Sequence, residues 1–234
     1  MMEQRVNTAP GGRSAGRRLL AGLAILAAAG GAWSAGGHHA VDDAAILDEG
    51  QCKLEPWLTA GHGGQRLWHL GAGCRVGPVE LNAALDHARG GGASQTGYGL
   101  QTKWATELAA GFSAGLSLAA SSQTHVRPRY QGSTLSALLT WAARDDLALH
   151  LNVGRDFLHR AADQNRSGVA AEWTAAAGWS LVAERFLADH THYARTGVRW
   201  GFADGWSVDL SRAQQLRGPG ASNWTLGAIW QFPR

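Results

Sequence analysis

Two imidazoles and two carboxylates fall within six residues at His38-His39-Ala40-Val41-Asp42-Asp43. Nitrogen and oxygen donors of this kind bind Zn2+, Cu2+ or Ni2+. His38, His39, Asp42 and Asp43 are therefore candidate metal ligands, although the spacing matches no defined site and a flexible polar lead-in to a folded domain is the favoured reading. His190 and His192, with Asp189 beside them, form a second pair that could chelate or simply be solvated. His150 precedes Asn152 and Asp156 on one face of a strand-like run, an arrangement that invites a hydrolytic reading. Hydrolysis of that kind needs a nucleophile next to the imidazole. The place two residues on from His150 is an amide, so a lipid-modifying enzyme is disfavoured. No catalytic residue is assigned and no cofactor is expected.

Cys52 and Cys74 are the only cysteines, and residue 63 lies midway between them. If the chain turns back at 61–64, the two face one another on antiparallel strands about 4.5–5.5 Å apart at Cα. That separation suits a disulfide, and an exported chain meets an oxidising compartment. The alternative is a pair of small apolar residues on one surface.

These groups need elements to hold them. From Gln51 onward the chain reads as twelve runs in which apolar and polar residues alternate, at roughly 51–61, 65–76, 79–89, 96–108, 111–124, 133–143, 147–158, 166–177, 179–188, 192–202, 206–216 and 222–232. A period of two places alternate side chains on opposite faces of a strand. The fifth run shows it cleanly, with Phe112, Ala114, Leu116 and Leu118 against Ser113, Gly115, Ser117 and Ala119. The polar faces collect His69, Arg75, Glu80, Asp86, Lys103 and Glu107 in the first half of the chain. His150, Asp156, Glu172, Arg195, Arg199 and Asp209 follow in the second. Both signs are mixed, which fits either a wet pore or a closed network of ion pairs. Small residues such as Gly71, Gly73, Ser117 and Gly197 leave room between them and favour a narrow pore. Arg185 falls on the apolar side near mid-strand, where a lipid contact would cost about 2–4 kcal/mol; a bulge or shifted register is expected there. Leu67, Leu138 and Ile229 fall on the polar side.

Alternation alone suits a soluble sandwich or barrel with its apolar face inward. Two features favour the apolar face outward, in lipid. Links at Gly77-Pro78, Ala109-Ala110, Ala177-Gly178 and Ala203-Asp204-Gly205 are short, whereas 90–95, 125–132, 159–165 and 217–221 read as longer polar loops. Aromatic residues also gather at the short-link ends, including Phe112, Trp141, Trp179, Trp200, Phe202 and Trp206, where amphipathic rings favour a membrane interface. The link at 61–64 is short for the loop side.

The segment ahead of the strands has the layout of an export signal. Arg13, Arg17 and Arg18 precede the apolar run 19–29, and Ala32 and Ser34 stand where a cut near residue 35 would need small residues. Residues 36–50 would then be a lead-in, with a short helix over 41–47 that enters the lumen. With Arg5, Arg13, Arg17, Arg18 and Glu3 removed, 17 basic and 17 acidic residues remain. That balance argues against nucleic acid as a partner.

The last run supplies a resemblance. Thr225, Gly227, Trp230 and Phe232 follow a pattern of polar, any, Gly, any, any, apolar, any, aromatic. It resembles the assembly signal of bacterial outer-membrane β-barrel proteins, although Pro233 and Arg234 follow the aromatic. The resemblance implies a closed, up-and-down antiparallel transmembrane barrel of about twelve strands in the outer membrane of a Gram-negative bacterium. It also implies outer-membrane lipid, lipopolysaccharide and the barrel-assembly machinery as partners. The expected role is a narrow passive channel for small polar solutes. A closed structural or surface-binding barrel and a metal-handling barrel are the alternatives. Arg89, Arg127, Arg129, Arg160, Arg166 and Arg217, assigned to the loops, could meet lipopolysaccharide phosphates or water.

Overall fold

The computed structural model describes residues 38–234. The export signal and its cut site lie outside the described residues. Twelve strands follow in order: β1 Gln51–Gly61, β2 Arg66–Val76, β3 Val79–Gly90, β4 Ala93–Glu107, β5 Phe112–Gln123, β6 Tyr130–Arg144, β7 Leu147–Leu158, β8 Gln164–Ala176, β9 Trp179–Ala188, β10 Thr191–Ala203, β11 Trp206–Arg217 and β12 Asn223–Pro233. Each pairs antiparallel with its sequence neighbours, and β1 pairs with β12 to close the barrel. Closure leaves no strand edge, which is the condition for a sheet in lipid.

The two ends differ less than the sequence suggests. One end, the base, carries the chain start at Gln51, the chain end and the links 77–78, 108–111, 145–146, 177–178 and 204–205. The other end, the top, carries longer links at 124–129, 159–163 and 218–222, and short ones at 91–92 and 189–190. The expected loop at 90–95 is a tight turn instead. Gly91 and Gly92 both take positive φ (58° and 83°), the conformation a two-residue hairpin turn requires, so β3 and β4 run on to meet it. At the first link a 3-10 turn over His62–Gly64 does the same work.

Apolar side chains point outward. Leu70, Leu85, Leu100, Leu116, Val153 and Leu226 are all exposed, and their strand neighbours in sequence face the lumen. Rings form a dense girdle at the base, where Phe112 stacks on Trp141, Trp179 on Trp200 and Trp206 on Trp230, with centroids 5.6, 5.5 and 5.0 Å apart. A sparser set at the top comprises Trp68, Tyr98, Tyr130, Phe157 and Trp224. Two aromatic girdles around an apolar band are the outer surface of a membrane barrel.

Cys52 and Cys74 are disulfide-bonded, with Cα atoms 4.0 Å apart in direct register across β1 and β2. Leu138 and Ile229 are buried inside the barrel. Arg185 corrects the sequence reading: it stands exposed on the outer face of β9, with unbroken register to Val169 and Ala194. Bulges do occur in the sheet, but in β8 the shift lies between Thr174 and Ala176, at the base. Arg185 sits in the top half of its strand. The cost of an outward arginine falls to about 0–1 kcal/mol near the interface, and its long stem reaches there.

Candidate lumenal site

A barrel of twelve strands is too wide for wall side chains alone to fill. Here the lumen is occupied by the chain's own residues 38–47. They adopt no helix, contrary to expectation. The reason is visible in their hydrogen bonds: the wall takes up backbone groups that a helix would pair internally. Val41 N–H donates to Glu184 at 3.0 Å and Ala40 N–H to the same carboxylate at 3.3 Å. Ala44 N–H donates to Thr140 Oγ1 at 2.8 Å, and Leu47 N–H to Glu80 at 3.0 Å. The Leu47 carbonyl accepts from Arg75 at 3.1 Å and the His38 carbonyl from Arg195. With its amide oxygen turned toward the segment, Asn152 accepts from Asp42 N–H at 2.6 Å and donates to the Asp42 carbonyl at 2.8 Å.

Side chains of the segment complete the anchoring. Lys103 donates to Asp42 at 2.7 Å and to Asp43 at 3.0 Å. His38 places Nδ1 2.7 Å from Asp209, and its Nε2 bonds Ser211. Burial holds the His38 imidazole down to about 4, against the pull of Asp209. Val41 packs into a small apolar cluster with Ala170, Phe186, Tyr193 and Ala213. The segment thus touches β2, β3, β4, β6, β7, β9, β10 and β11, and it joins β1 through Gly50. That glycine has φ 75°, and the Gly50 carbonyl accepts from Arg234 N–H at 2.6 Å.

The structure distributes the expected lumen residues in three groups. Arg75, Glu80, Lys103, Asp209, Arg195 and His150 serve the segment or its immediate supports; His150 Nδ1 lies 2.9 Å from Thr140 Oγ1. His69 and Asp86 bond each other at 2.6 Å, Asp156 pairs with Arg166 at 3.2 Å, and Arg199 with Glu172 at 3.5 Å. Glu107 stands exposed at the base rim. Lys53 bridges Glu55 and Glu80 at 3.2 and 2.9 Å. Arg89, Arg166 and Arg217 are strand residues of β3, β8 and β11, not loop residues as expected.

The candidate metal ligands separate. Asp42 and Asp43 serve Lys103, while His38, His39 and Asp209 bring one ligand atom each to within 4.8 Å of one another. Trp57 is not foreseen, whereas Glu184 lies on the polar face where its strand parity puts it. Trp57 shares strand parity with Lys53 and Glu55, which would have placed it in the lumen, where it stacks on His69. Glu184 is fully enclosed and carries two backbone amides.

The cavity between His39, His150, Glu172 and Arg199 holds about 10 Å3, at the lower limit for one water. At the base, a cleft of about 440 Å3 opens against Leu47, Asp48, Gln231 and Pro233.

Outward apolar strands, paired aromatic girdles and a charged interior define a membrane-spanning β-barrel. The chain belongs to the family described as uncharacterised conserved protein UCP029691, whose model matches residues 23–232. A comparison with curated proteins gives no match. Among solved structures the barrel is similar to the COG4313 outer membrane channel from Pseudomonas putida F1, with TM-score 0.67 and 11% identity over 81% of this chain and 98% of that one. It is also similar to a KdgM porin, with TM-score 0.65 and 10% identity over 77% and 99%. A KdgM porin in complex with disordered oligogalacturonate gives TM-score 0.61 and 11% identity over 78% and 99%. At these identities the likeness is one of fold.

Proposed function

We propose that the protein is a passive outer-membrane channel for small polar solutes, held shut at rest by residues 38–47. The base then faces the periplasm, as short turns and termini do in this class. The carrying observation is how the segment is held. Its contacts are mostly hydrogen bonds and ion pairs to a wall of mixed charge, with Val41 in the one small apolar cluster. Such contacts can be replaced one for one by water or a polar solute, since each is worth only about 0.5–3 kcal/mol net, the upper part of that range belonging to the charged ones. A packed apolar core would not exchange in this way. A strap tethered at Gly50 can leave toward the base without disturbing the sheet. The complex of a fold neighbour with oligogalacturonate, a polar saccharide, agrees in solute class.

Planar-bilayer recording tests the reading. The mature chain is expected to conduct in brief, infrequent steps, and a chain lacking residues 38–47 in steady ones. A truncated barrel that folds, migrates as a heat-modifiable species and never conducts would favour a closed structural barrel instead. A metal-handling role has one observation behind it, the buried grouping of His38, His39 and Asp209. It requires a divalent cation beside the Arg195 guanidinium, which donates to the His38 carbonyl. The residues that resemble an assembly signal, Thr225, Gly227, Trp230 and Phe232, lie on the strand that closes the barrel against β1.

A further inference from the structure

The outer surface is charged in one sign only. Among the described residues, every Asp, Glu and Lys within a strand faces the lumen, and Arg66, Arg89, Arg155, Arg185 and Arg212 face outward in the top half. One of these is neutralised: Arg155 meets the loop residue Asp163 at 3.2 Å. Among the described residues no carboxylate pairs with the other four.

Their arrangement is specific. Arg66 on β2 and Arg89 on β3 are direct register partners, both exposed. Like charges directly opposite across a strand pair repel, so this pair is costly unless an anion lies between. Arg185 on β9 is opposite Ala194 of β10, and Arg212 on β11 is opposite Thr196 of β10. From strand spacing and rise, their Cα atoms lie about 12 Å apart, within reach of two long side chains converging on one group. The depth is fixed by aromatics. The Arg212 guanidinium lies 5.2 Å from the Trp224 ring centroid, and Trp68 stands two residues along β2 from Arg66. Rings of this kind sit at headgroup level.

Resting on the orientation of the proposed function, with the base toward the periplasm, we propose that these two arginine pairs, Arg66 with Arg89 and Arg185 with Arg212, are binding sites for the phosphate groups of outer-leaflet lipid A. The guanidinium fork matches phosphate oxygens bidentately. An anion between two such forks removes the repulsion that the bare pair carries. The pairs occur only where the top girdle places headgroups. At the base, the outward Arg144 is already satisfied by Asp146, at 2.8 and 2.7 Å.

Native mass spectrometry of the full mature chain in detergent tests this, with lipid A bearing two, one or no phosphates and with phosphatidylglycerol. Retention of diphosphorylated lipid A is expected to exceed that of the dephosphorylated form by at least about tenfold. It should also exceed that of phosphatidylglycerol, which offers a single bridging phosphate. Arg66→Gln with Arg89→Gln, or Arg185→Gln with Arg212→Gln, should remove most of the difference, and Arg144→Gln none of it. Equal retention of dephosphorylated lipid A, or of phosphatidylglycerol, would overturn the proposal. So would unchanged retention by both double variants. The comparison of lipids on the unaltered chain stands even if a variant fails to assemble.

Discussion

Glu184 accepts the backbone N–H of Val41 at 3.0 Å across a separation of 143 residues, and no water reaches its carboxylate. A wall side chain from β9 thereby fixes the course of a segment that ends at β1. The same carboxylate holds the Ala40 amide and faces Arg195 and His39. Among the described residues it is the wall side chain that accepts two of the strap's backbone amides.

Glu184→Gln weakens two of these bonds and removes the charge. Hydrogen bonds to a charged group are worth about 1.5–3 kcal/mol. The variant should therefore raise the open fraction of the pore about tenfold, read as open probability in single-channel traces. An unchanged open probability would show that the strap does not control conduction.

Gly168 offers a route that leaves every charge alone. A Cβ at this position would come 2.5 Å from Val41 Cγ2 and 3.0 Å from Phe186 Cβ, closer than packed carbons approach. Gly168→Ala should displace Val41 and raise the open fraction as well. The wall also crowds the new methyl group, through Phe186 Cβ and the Arg185 carbonyl at 3.3 Å, so the temperature of heat-modified migration should fall slightly as well.

His38 and Asp42 make the strap's docking depend on pH in opposite senses. His38 titrates at about 4 when docked, because burial disfavours its charged form, and at 6.5 when free. Its share of the docking therefore weakens as pH falls from 6.5 toward 4. Burial raises the Asp42 carboxyl from 3.8 to about 7, so its share strengthens on the same descent. The His38 share is read as a difference: between about pH 7.5 and 4 the open fraction of the unaltered chain should rise more, or fall less, than that of His38→Asn. Superimposed profiles would show that His38 does not set docking.

Breaking the Cys52–Cys74 bond should cost stability without touching conduction. The bond closes a loop of sequence separation 22 on the outer face, for which chain-entropy arguments give about 3 kcal/mol. Cys52→Ser with Cys74→Ser should lower the temperature of heat-modified migration by several degrees, with single-channel amplitude unchanged.

The barrel itself was legible because its code is local. Parity along each strand assigned Glu80, Lys103, Asp156 and Asp209 to the lumen and Leu116 or Leu226 to lipid, and the symmetric placement of Cys52 and Cys74 gave their pairing. The strap was not legible. His38 to Leu47 follow no period, and their partners lie one or two at a time on strands scattered through the chain. Trp57 was overlooked for a related reason: aromatic residues were assigned to the interface by type, whereas its parity with Lys53 points inward. Arg185 was judged by the midplane cost, although its position in the upper half of β9 makes that cost small.

Attachment at Gly50 sets how a solute must compete. A short flexible link keeps a released end near its site at an effective concentration on the order of millimolar, so rebinding is intramolecular and independent of protein abundance. Any permeant molecule that keeps the barrel open by occupying Glu184 or Lys103 has to be present at comparable levels. Such a barrel would stay sealed in dilute surroundings and admit traffic when nutrients are plentiful.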